Sequence, residues 1–395
     1  MDFEKYDVVI IGGGPAGCIA GEHIKHHNVL IIEEHQSIGA PLQCAGLISK
    51  KGVKELGNPK GIVNKIKGAY IYSKNNTLKI GDDDEIRAYV FERKVMDKDI
   101  AIRASKKADF LLKAYGRLID NNLNKKKNLL NFKTFSKNRD LKYRLSIHHL
   151  GETYTICPKV IIGADGARSN IGKSAGLSIN REILSGAQLE MVNVNIDDDF
   201  VYVFFDRTFC KDFFIWIIPM GKDRVRVGLC NSSNTYKKLL NFINNHPIAS
   251  KILKNAVPVE FSVGTLPIGY LKTTVKNNLM LVGDAAGQVK PLSGGGLYYG
   301  AKCAKICGKI IDEYLANNYG LSYLKNYDKL WKKDIGNEIK AGLRFRTLIK
   351  KMDDKKIDKL LEFIIKNNLV EHITKKGDMD NPSIILKDLF KKFLN

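Results

Sequence analysis

The sequence lacks a hydrophobic run long enough to cross a bilayer. Its longest stretches without a charged residue, 8–21 and 36–49, are interrupted by glycine and proline. Both fall short of the roughly 20 apolar residues that a membrane helix requires. The first residues also lack a basic segment followed by an apolar one, so we expect no secretory signal. These absences predict a protein of the cytoplasm.

The cysteines are too few and too irregularly spaced to form a disulfide framework. The seven cysteines include no CxxC pair, and their odd number argues for reduced thiols. Cys303 and Cys307 have helical spacing, which favours packing. The pair His148 and His149 has no carboxylate or cysteine cluster near it in the sequence, so we expect no metal site. P-loop, HExxH and nucleic-acid-binding motifs are also absent, and we expect no nucleic acid partner.

Acidic residues are few compared with basic ones. There are 64 Lys and Arg against 42 Asp and Glu, which gives a formal net charge of +22 at pH 7. Such an excess would attract an anionic surface, either phospholipid or a phosphorylated substrate. The alternative is a lysine-rich composition without a specific patch, because the lysines lie in short clusters such as 125–127 and 350–351. Both interpretations remain open.

A glycine loop near the N-terminus joins a strand to a helix. Residues 8–11 form a continuous apolar run, which is typical of a strand buried in a parallel sheet. The loop that follows matches GxGxxG, whose glycines permit a tight turn, close approach to a pyrophosphate and close helix packing. The pattern therefore predicts a dinucleotide site. The residues assigned to it are Gly12, Gly14, Pro15, Ala16 and Gly17.

An acidic residue ends the second predicted strand, at residues 29–33. Glu33 would accept hydrogen bonds from the ribose hydroxyls of the adenosine. Glu34 is the competing candidate, but the register of the strand favours Glu33. The fingerprint alone does not distinguish FAD from NAD.

The remaining chain divides by its patterns into three regions of an α/β fold. We predict a discontinuous Rossmann-type nucleotide-binding domain over 1–70, 86–178 and 258–310. Short β-rich runs at meander spacing predict a β-sheet substrate domain over 71–85 and 179–257. Within it, the alternating residues 224–227 predict a half-exposed antiparallel strand. A helical C-terminal region would occupy 311–395, with an amphipathic helix at 356–366.

Two further segments resemble those of the FAD-dependent hydroxylase-like flavoproteins. Residues 160–169 (VIIGADGARS) resemble their DG segment, and residues 278–287 (NLMLVGDAAG) resemble their GD segment. The resemblance implies FAD, with Asp284 on a ribityl hydroxyl. It also implies that a glycine-rich helix start faces the pyrophosphate and the isoalloxazine ring, and that Arg93 lies near the adenine and pyrophosphate. The cofactor residues added in this way are Arg93, Asp165, Asp284, Gly295, Gly296 and Leu297.

Within these flavoproteins the sequence is similar to the geranylgeranyl reductase family. The similarity lies in residues 39–49 (GAPLQCAGLIS) and 214–219 (FIWIIP). It implies that the first segment, through Cys44, Ala45 and Gly46, lies beside the flavin. It implies that the second contacts the substrate through Phe214, Trp216 and Pro219.

The second segment departs from the Y-x-W-x-F-P pattern of the family. Phe214 replaces its tyrosine and Ile218 its phenylalanine, so a hydroxyl is lost while an apolar wall is kept. Cys44 has two interpretations, proton donation beside the flavin or packing as a small hydrophobic side chain.

The resemblance implies an FAD-dependent reductase that saturates C=C bonds of isoprenoid, geranylgeranyl chains of archaeal-type membrane-lipid precursors. Because no second strand–GxGxxG–helix unit is present, we expect a transient electron donor, which could be ferredoxin, a reduced deazaflavin or NAD(P)H. Peripheral association with an anionic membrane is a further expectation. The alternatives are a flavin monooxygenase, a quinone-linked electron-transfer dehydrogenase and a non-catalytic flavin-binding protein.

Overall fold

A computed structural model describes residues 2–120, 141–177 and 181–394. The lysine cluster 125–127 lies outside these residues. In chain order the strands are β1 (Val8–Ile11), β2 (Val29–Glu33), β3 (Leu47–Ser49), β4 (Ile62–Ile66), β5 (Gly68–Tyr72), β6 (Thr77–Gly81), β7 (Ala88–Phe91), β8 (Ala108–Leu112), β9 (Ala114–Asp120), β10 (Tyr143–His149), β11 (Glu152–Ile156), β12 (Val160–Gly163), β13 (Glu182–Val194), β14 (Phe200–Phe204), β15 (Ile215–Pro219), β16 (Asp223–Asn231), β17 (Val257–Ile268), β18 (Val275–Lys276) and β19 (Leu279–Leu281).

The helices are α1 (Pro15–Glu22), α2 (Lys50–Glu55), α3 (Arg93–Ala104), α4 (Asn170–Ser174), α5 (Thr235–Asn245), α6 (Ala249–Ile252), α7 (Leu297–Ala316), α8 (Asn326–Trp331), α9 (Asn337–Lys350), α10 (Asp354–Lys366), α11 (Leu369–Lys376) and α12 (Ser383–Leu394). Among the described residues, none of these helices has the length and apolar character to cross a membrane.

A six-stranded, mostly parallel sheet forms the N-terminal core, in the order β18-β19-β12-β1-β2-β8. Strand β1 is buried along its whole length and pairs in parallel with β2 and β12. Its residues alternate between two apolar clusters. Val8 and Ile10 pack with α1, α3 and α7, whereas Val9 and Ile11 pack with the small sheet β11-β10-β9. The predicted buried parallel strand is therefore confirmed.

Helix α7 follows the GD segment and packs along α1, the helix that begins at the glycine loop. Gly308 permits this approach, since a Cβ there would lie 2.5 Å from the Ala20 carbonyl oxygen. Cys303 and Cys307 are fully buried in the α7 interface. Burial raises the pKa of both thiols, and their position agrees with the packing interpretation.

A second, larger sheet has seven strands in the order β17-β13-β16-β15-β14-β5-β6. It is antiparallel apart from the β5–β14 pair. One face packs against α5, through Leu189, Val227 and Phe242 among others. The opposite face meets the loop before β3 at Ala45 and Leu47.

This sheet extends beyond the expected borders of the β-rich region. Strand β17 (Val257–Ile268) pairs with β13, and β5 (Gly68–Tyr72) pairs with β14. We therefore propose that the β-region includes 68–81 and 182–268. The prediction of a half-exposed strand at 224–227 is wrong, because residues 225–231 of β16 are all buried. Helix α5 packs on this strand, and Arg226 donates to the Ala45 carbonyl oxygen on the other face.

The C-terminal helices pack on the outer strands of the large sheet. The predicted helix at 356–366 is confirmed as α10, which buries Ile357, Leu361 and Ile364 against β6 and the last two helices. The end of α9 carries Lys350.

Candidate functional site

The glycine loop has tight positions and one open position. A Cβ on Gly12, where φ is +109°, would lie 2.3 Å from the Ala164 carbonyl oxygen, and a Cβ on Gly17 would lie 2.1 Å from that of Gly12. Gly14 caps α1 without a side-chain hydrogen bond, and a Cβ there would meet nothing within 4 Å. The space beside Gly14, at the N-terminus of α1, is therefore open, as the approach of a pyrophosphate requires.

Glu33 lies at the same loop, at the end of β2. Its Oε2 accepts a hydrogen bond from the Gly13 N–H at 2.8 Å, and its Oε1 lies 2.6 Å from His35 Nδ1. The Glu33 side chain is 13% exposed, whereas that of Glu34 is 69% exposed. This geometry supports Glu33 over Glu34, and it adds His35, which sequence reasoning did not identify.

Asp284 is placed at the loop after β19 with free acceptor capacity. Burial raises the pKa of its carboxyl, and the guanidinium groups of Arg181 and Arg93 oppose that shift. Across the described ranges, no group donates a hydrogen bond to either oxygen. Its Oδ1 lies over Gly296, where a Cβ would approach it to 2.7 Å. A partly buried carboxylate without donors suits the hydroxyl groups of a polyol chain.

Asp165 differs from Asp284, since its oxygens are occupied by its own loop. It accepts hydrogen bonds from the Ser169 hydroxyl at 2.6 Å and from the Ile171 N–H at 3.0 Å. These bonds hold the start of α4 against the end of β12. The geometry thus assigns Asp165 to shaping the loop that borders the glycine turn.

Arg93 is buried at the start of α3 and is therefore not a surface residue. Its guanidinium donates two hydrogen bonds to Asp97, at 2.9 and 2.8 Å. Burial lowers the pKa of Arg93, but the nearby Asp97 and Cys44 outweigh it and the pKa is raised. Arg93 therefore lies beside the Cys44 thiol. Because the charge of Arg93 also acts on Asp284, the 39–49 segment lies on the side of α3 that faces the predicted cofactor site, which we term the cofactor side.

Arg226 fixes the 39–49 segment to the large sheet, a role that no sequence pattern indicated. It is fully buried and donates to Glu190 and Glu92, both at 3.2 Å. It also donates to the carbonyl oxygens of Ala45 and Phe91, at 3.0 and 2.9 Å. A buried guanidinium with its donors satisfied in this way holds three chain segments in one geometry.

Trp216 lies on the face of the large sheet that meets the 39–49 segment. Its indole N–H donates to Gln188 Oε1 at 3.1 Å. Its ring covers Gly228, where a Cβ would lie 2.5 Å from the indole. The Phe214 ring is 6.1 Å away, edge-on. Trp216 and Ala45 pack against the same apolar cluster, so the predicted substrate wall and flavin segment are neighbours.

Glycines on adjacent strands lie beside this aromatic wall. Gly186 is paired with Gly264 on one side and with Cys230 on the other. Gly264 lies under the backbone of Gln43, at a distance that leaves no room for a side chain. The remaining motif positions, Ile218 and Pro219, are buried. Gly186 and Gly264, together with Trp216 and Phe214, form a surface next to the 39–49 segment that we term the apolar floor.

The glycine-rich start of α7 rests on a buried ion pair. Gly296 caps α7, which begins at Leu297, and a Cβ on Gly295 would lie 2.9 Å from Lys290 Cε. Lys290 Nζ lies 2.7 Å from Asp380 Oδ1, and Asp380 is 1% exposed. Because Asp380 belongs to the C-terminal region, its contribution to this loop was not visible in the sequence.

These residues fit FAD at both ends of the molecule. The open face of Gly14, Glu33 and the free carboxylate of Asp284 supply the contacts for pyrophosphate, ribose and ribityl groups. The glycines beside Asp284 leave room for a flat ring. In the described part of the chain, no group of three or more His, Cys, Asp or Glu side chains is arranged to hold a metal ion.

Comparison with known proteins supports the same cofactor. Residues 5–330 match the family model described as FAD binding domain. An uncharacterized protein of Methanocaldococcus jannaschii is 59% identical over 382 residues, covering 96% of this chain and 93% of the relative. The digeranylgeranylglycerophospholipid reductase of the same organism is 33% identical over 374 residues, covering 91% and 90%.

A solved structure agrees with the fold over nearly the whole chain. It is a geranylgeranyl bacteriochlorophyll reductase-like protein from Thermoplasma acidophilum, with a TM-score of 0.82 and 26% identity over 98% of this chain and 99% of that one. The comparisons confirm FAD as the cofactor, the α/β fold class with its FAD-binding fold and helical C-terminal region, and the resemblance drawn from the sequence.

Proposed function

We propose that this chain, which belongs to the FAD binding domain family and within it to the digeranylgeranylglycerophospholipid reductases, reduces C=C bonds of isoprenoid chains. The observation that carries the proposal is the adjacency of two features. The apolar floor with Trp216 and Phe214 lies directly beside the Cys44–Ala45 segment, and Arg93 joins that segment to the cofactor side. A hydrocarbon can therefore lie next to the cofactor.

The chemistry sets what the protein must provide. An isolated alkene has no carbonyl group to accept developing charge, so the site must exclude water, hold the bond in place and position an acid. When bound, FAD in its reduced form supplies the hydride. The chain's own contribution is the apolar floor, on which Trp216 is held at a fixed angle by Gln188. An apolar wall suits a substrate without polar groups.

Cys44 Sγ is the proton donor in this proposal. Arg93 lies beside this thiol, and Asp97 holds the guanidinium of Arg93 in one orientation through two hydrogen bonds. The proton would pass from Sγ to the alkene carbon that does not receive the hydride.

Replacement of the thiol tests this role. In Cys44→Ser, with a hydroxyl far less acidic than a thiol, we expect turnover to fall by about 100-fold or more, in the range for loss of a positioned acid. Flavin content should stay normal. Cys157→Ser, on the distant hairpin side, is the control. A change in turnover of less than about threefold would assign Cys44 to packing instead.

The substrate class follows from the same family. We propose geranylgeranyl chains of archaeal-type lipid precursors as the first candidate. A second candidate is another isoprenoid, because this chain is more similar to the uncharacterized M. jannaschii protein than to the reductase of that organism. Phe214, which lacks the hydroxyl expected at its position, is consistent with a different preference. The electron donor would be transient, either ferredoxin, a reduced deazaflavin or NAD(P)H.

The experiment is an anaerobic assay in which chemically reduced enzyme is mixed with polyprenyl lipids. Geranylgeranyl ether lipid and geranylgeranyl diphosphate should be compared, with mass spectrometry of the products and absorbance of the flavin. Saturation of the ether lipid alone would support the first candidate, and saturation of the diphosphate alone would support the second.

A further inference from the structure

The edge strand β17 carries exposed apolar side chains along one face. Four of them, together with Tyr236 of α5, form what we term the β17 stripe, and each is between 48% and 58% exposed. The Tyr236 and Phe261 rings are in contact, with centroids 4.8 Å apart. The stripe consists of Tyr236, Val257, Val259, Phe261 and Val263.

The stripe is exposed because α5 does not reach the edge of the sheet. Phe261 and Val263 are paired with Leu189 and Ala187 of β13, which lie in the cluster under α5. Helix α5 packs over β13 and β16. The apolar face of the sheet that α5 covers at β13 and β16 therefore continues onto β17. Such a continuous exposed apolar patch is typical of an interaction surface.

The segment that leads into the stripe carries charge of one sign, and Glu260 within β17 is paired with Lys94. Residues 232–259, which include Tyr236 and the first three residues of β17, contain four lysines and no aspartate or glutamate. Three of them, Lys237, Lys251 and Lys254, are exposed. An apolar stripe with lysines at its border matches an anionic lipid surface, into which the apolar side chains insert while the lysines meet headgroups.

The same features disfavour a second copy of this chain as the occupant. A twofold contact would bring the two stripes together and oppose lysines with lysines. Pairing of two β17 edges is also discouraged by Pro258, which lacks an N–H, and by the register shift between Glu190 and Met191.

We propose that the β17 stripe and its lysines form a docking surface for an anionic phospholipid bilayer. The exposed lysines beside the stripe would then act at one place on the surface, whereas most of the net charge of +22 lies elsewhere. The inference does not depend on the proposed reduction, because binding to vesicles and turnover of solubilised substrate are measured separately.

Vesicle flotation tests the proposal with the full-length flavin-loaded protein. The vesicles are phosphatidylglycerol with phosphatidylcholine, or phosphatidylcholine alone, at low and at high salt. Wild-type protein should bind the anionic vesicles and be released by salt. The stripe variant Val259→Thr/Phe261→Thr/Val263→Thr should bind at least tenfold more weakly, and threonine retains the strand preference.

The lysine variant separates a local surface from net charge. In Lys237→Gln/Lys251→Gln/Lys254→Gln, binding to anionic vesicles should weaken by about 100-fold at low salt, at about fivefold per lysine. The control Lys355→Gln/Lys356→Gln/Lys359→Gln removes the same charge from α10 and should change binding by less than about threefold. Flavin content and thermal unfolding show that each variant is folded.

Several results would overturn the proposal. They are absence of wild-type binding, unchanged binding of the stripe variant, or equal losses in the two lysine variants. A wild-type dimer in light scattering that the stripe variant abolishes would identify a second copy as the occupant. Turnover of detergent-solubilised substrate should be equal in all variants, so that a failure of docking is distinguishable from a failure of the proposed activity.

Discussion

Gly14→Val should yield a folded protein that purifies without the yellow colour of a flavoprotein. The substitution is compatible with folding, because Gly14 has a φ of −69° and a Cβ there meets nothing within 4 Å. The valine side chain would instead occupy the space above the N-terminus of α1, where the pyrophosphate must approach. We expect bound FAD, measured by absorbance after heat release, to fall below about one tenth of wild type.

A matched control exists in the same chain. Gly320 is also an N-cap glycine in an extended conformation, with a φ of −68°, and a Cβ there would meet only the Ser322 hydroxyl, at 4.0 Å. Gly320→Val should retain its flavin. Asp284→Ala tests the other end of the site and should also release FAD, since its free carboxylate is removed. Normal flavin content in both Gly14→Val and Asp284→Ala would contradict the site.

Trp216→Ala should lose turnover but retain its flavin, in contrast to Gly14→Val and Asp284→Ala, which should lose the flavin. The indole lies on the large sheet and contacts Gly228, Gln188 and Phe214, none of which belongs to the cofactor segments. Its removal opens the apolar wall and admits water to the bond that must be reduced. We expect turnover of an isoprenoid lipid to fall by about 100-fold, because small misplacements of reacting groups have effects of this size.

Two variants define the cause of that loss. Trp216→Phe keeps an aromatic wall without the hydrogen bond to Gln188 and should retain at least about one tenth of the activity. Gln188→Ala should resemble it. If Trp216→Ala reduced the lipid at the wild-type rate, Trp216 would not be part of the substrate wall. If it lost FAD, the ring would act on the cofactor instead.

The nucleotide-binding half was largely predictable because its determinants are local. A continuous apolar strand, glycines at fixed spacing and an acidic residue at the next strand end all occur within residues 8–33. Each has one physical reason, whether burial on both faces, close backbone approach or hydrogen bonding to hydroxyls. The structure places Glu33 and Gly14 at one loop as these local rules require.

The parts that the sequence did not reveal depend on long-range contacts. Arg226 lies in an alternating pattern that indicated a half-exposed strand, yet it is fully buried because Glu190, Glu92 and two carbonyl groups from distant segments satisfy it. Asp380 supports the start of α7 through Lys290, which lies 90 residues before it in the chain. The sequence pattern of a single segment contains no information on such partners, so these positions were missed.

Strand β17 shows a similar limit at a domain border. Apolar residues recur at every second position in its first half. Whether the face that they form is buried depends on which strands α5 packs against, and α5 belongs to a different part of the chain. The expected border at 257 and 258 therefore separated a strand from the sheet with which it pairs.

The most direct test of isoprenoid reduction is the mass of a geranylgeranyl ether lipid after anaerobic incubation with dithionite-reduced enzyme. Reduction predicts that the lipid gains about two mass units for each reduced bond, in stepwise fashion, while the flavin reoxidises. A lipid that stays unchanged without oxygen but gains an oxygen atom in air would contradict it and identify a monooxygenase. A lipid left unchanged under both conditions, with any reductant, would contradict it in favour of a non-catalytic flavoprotein.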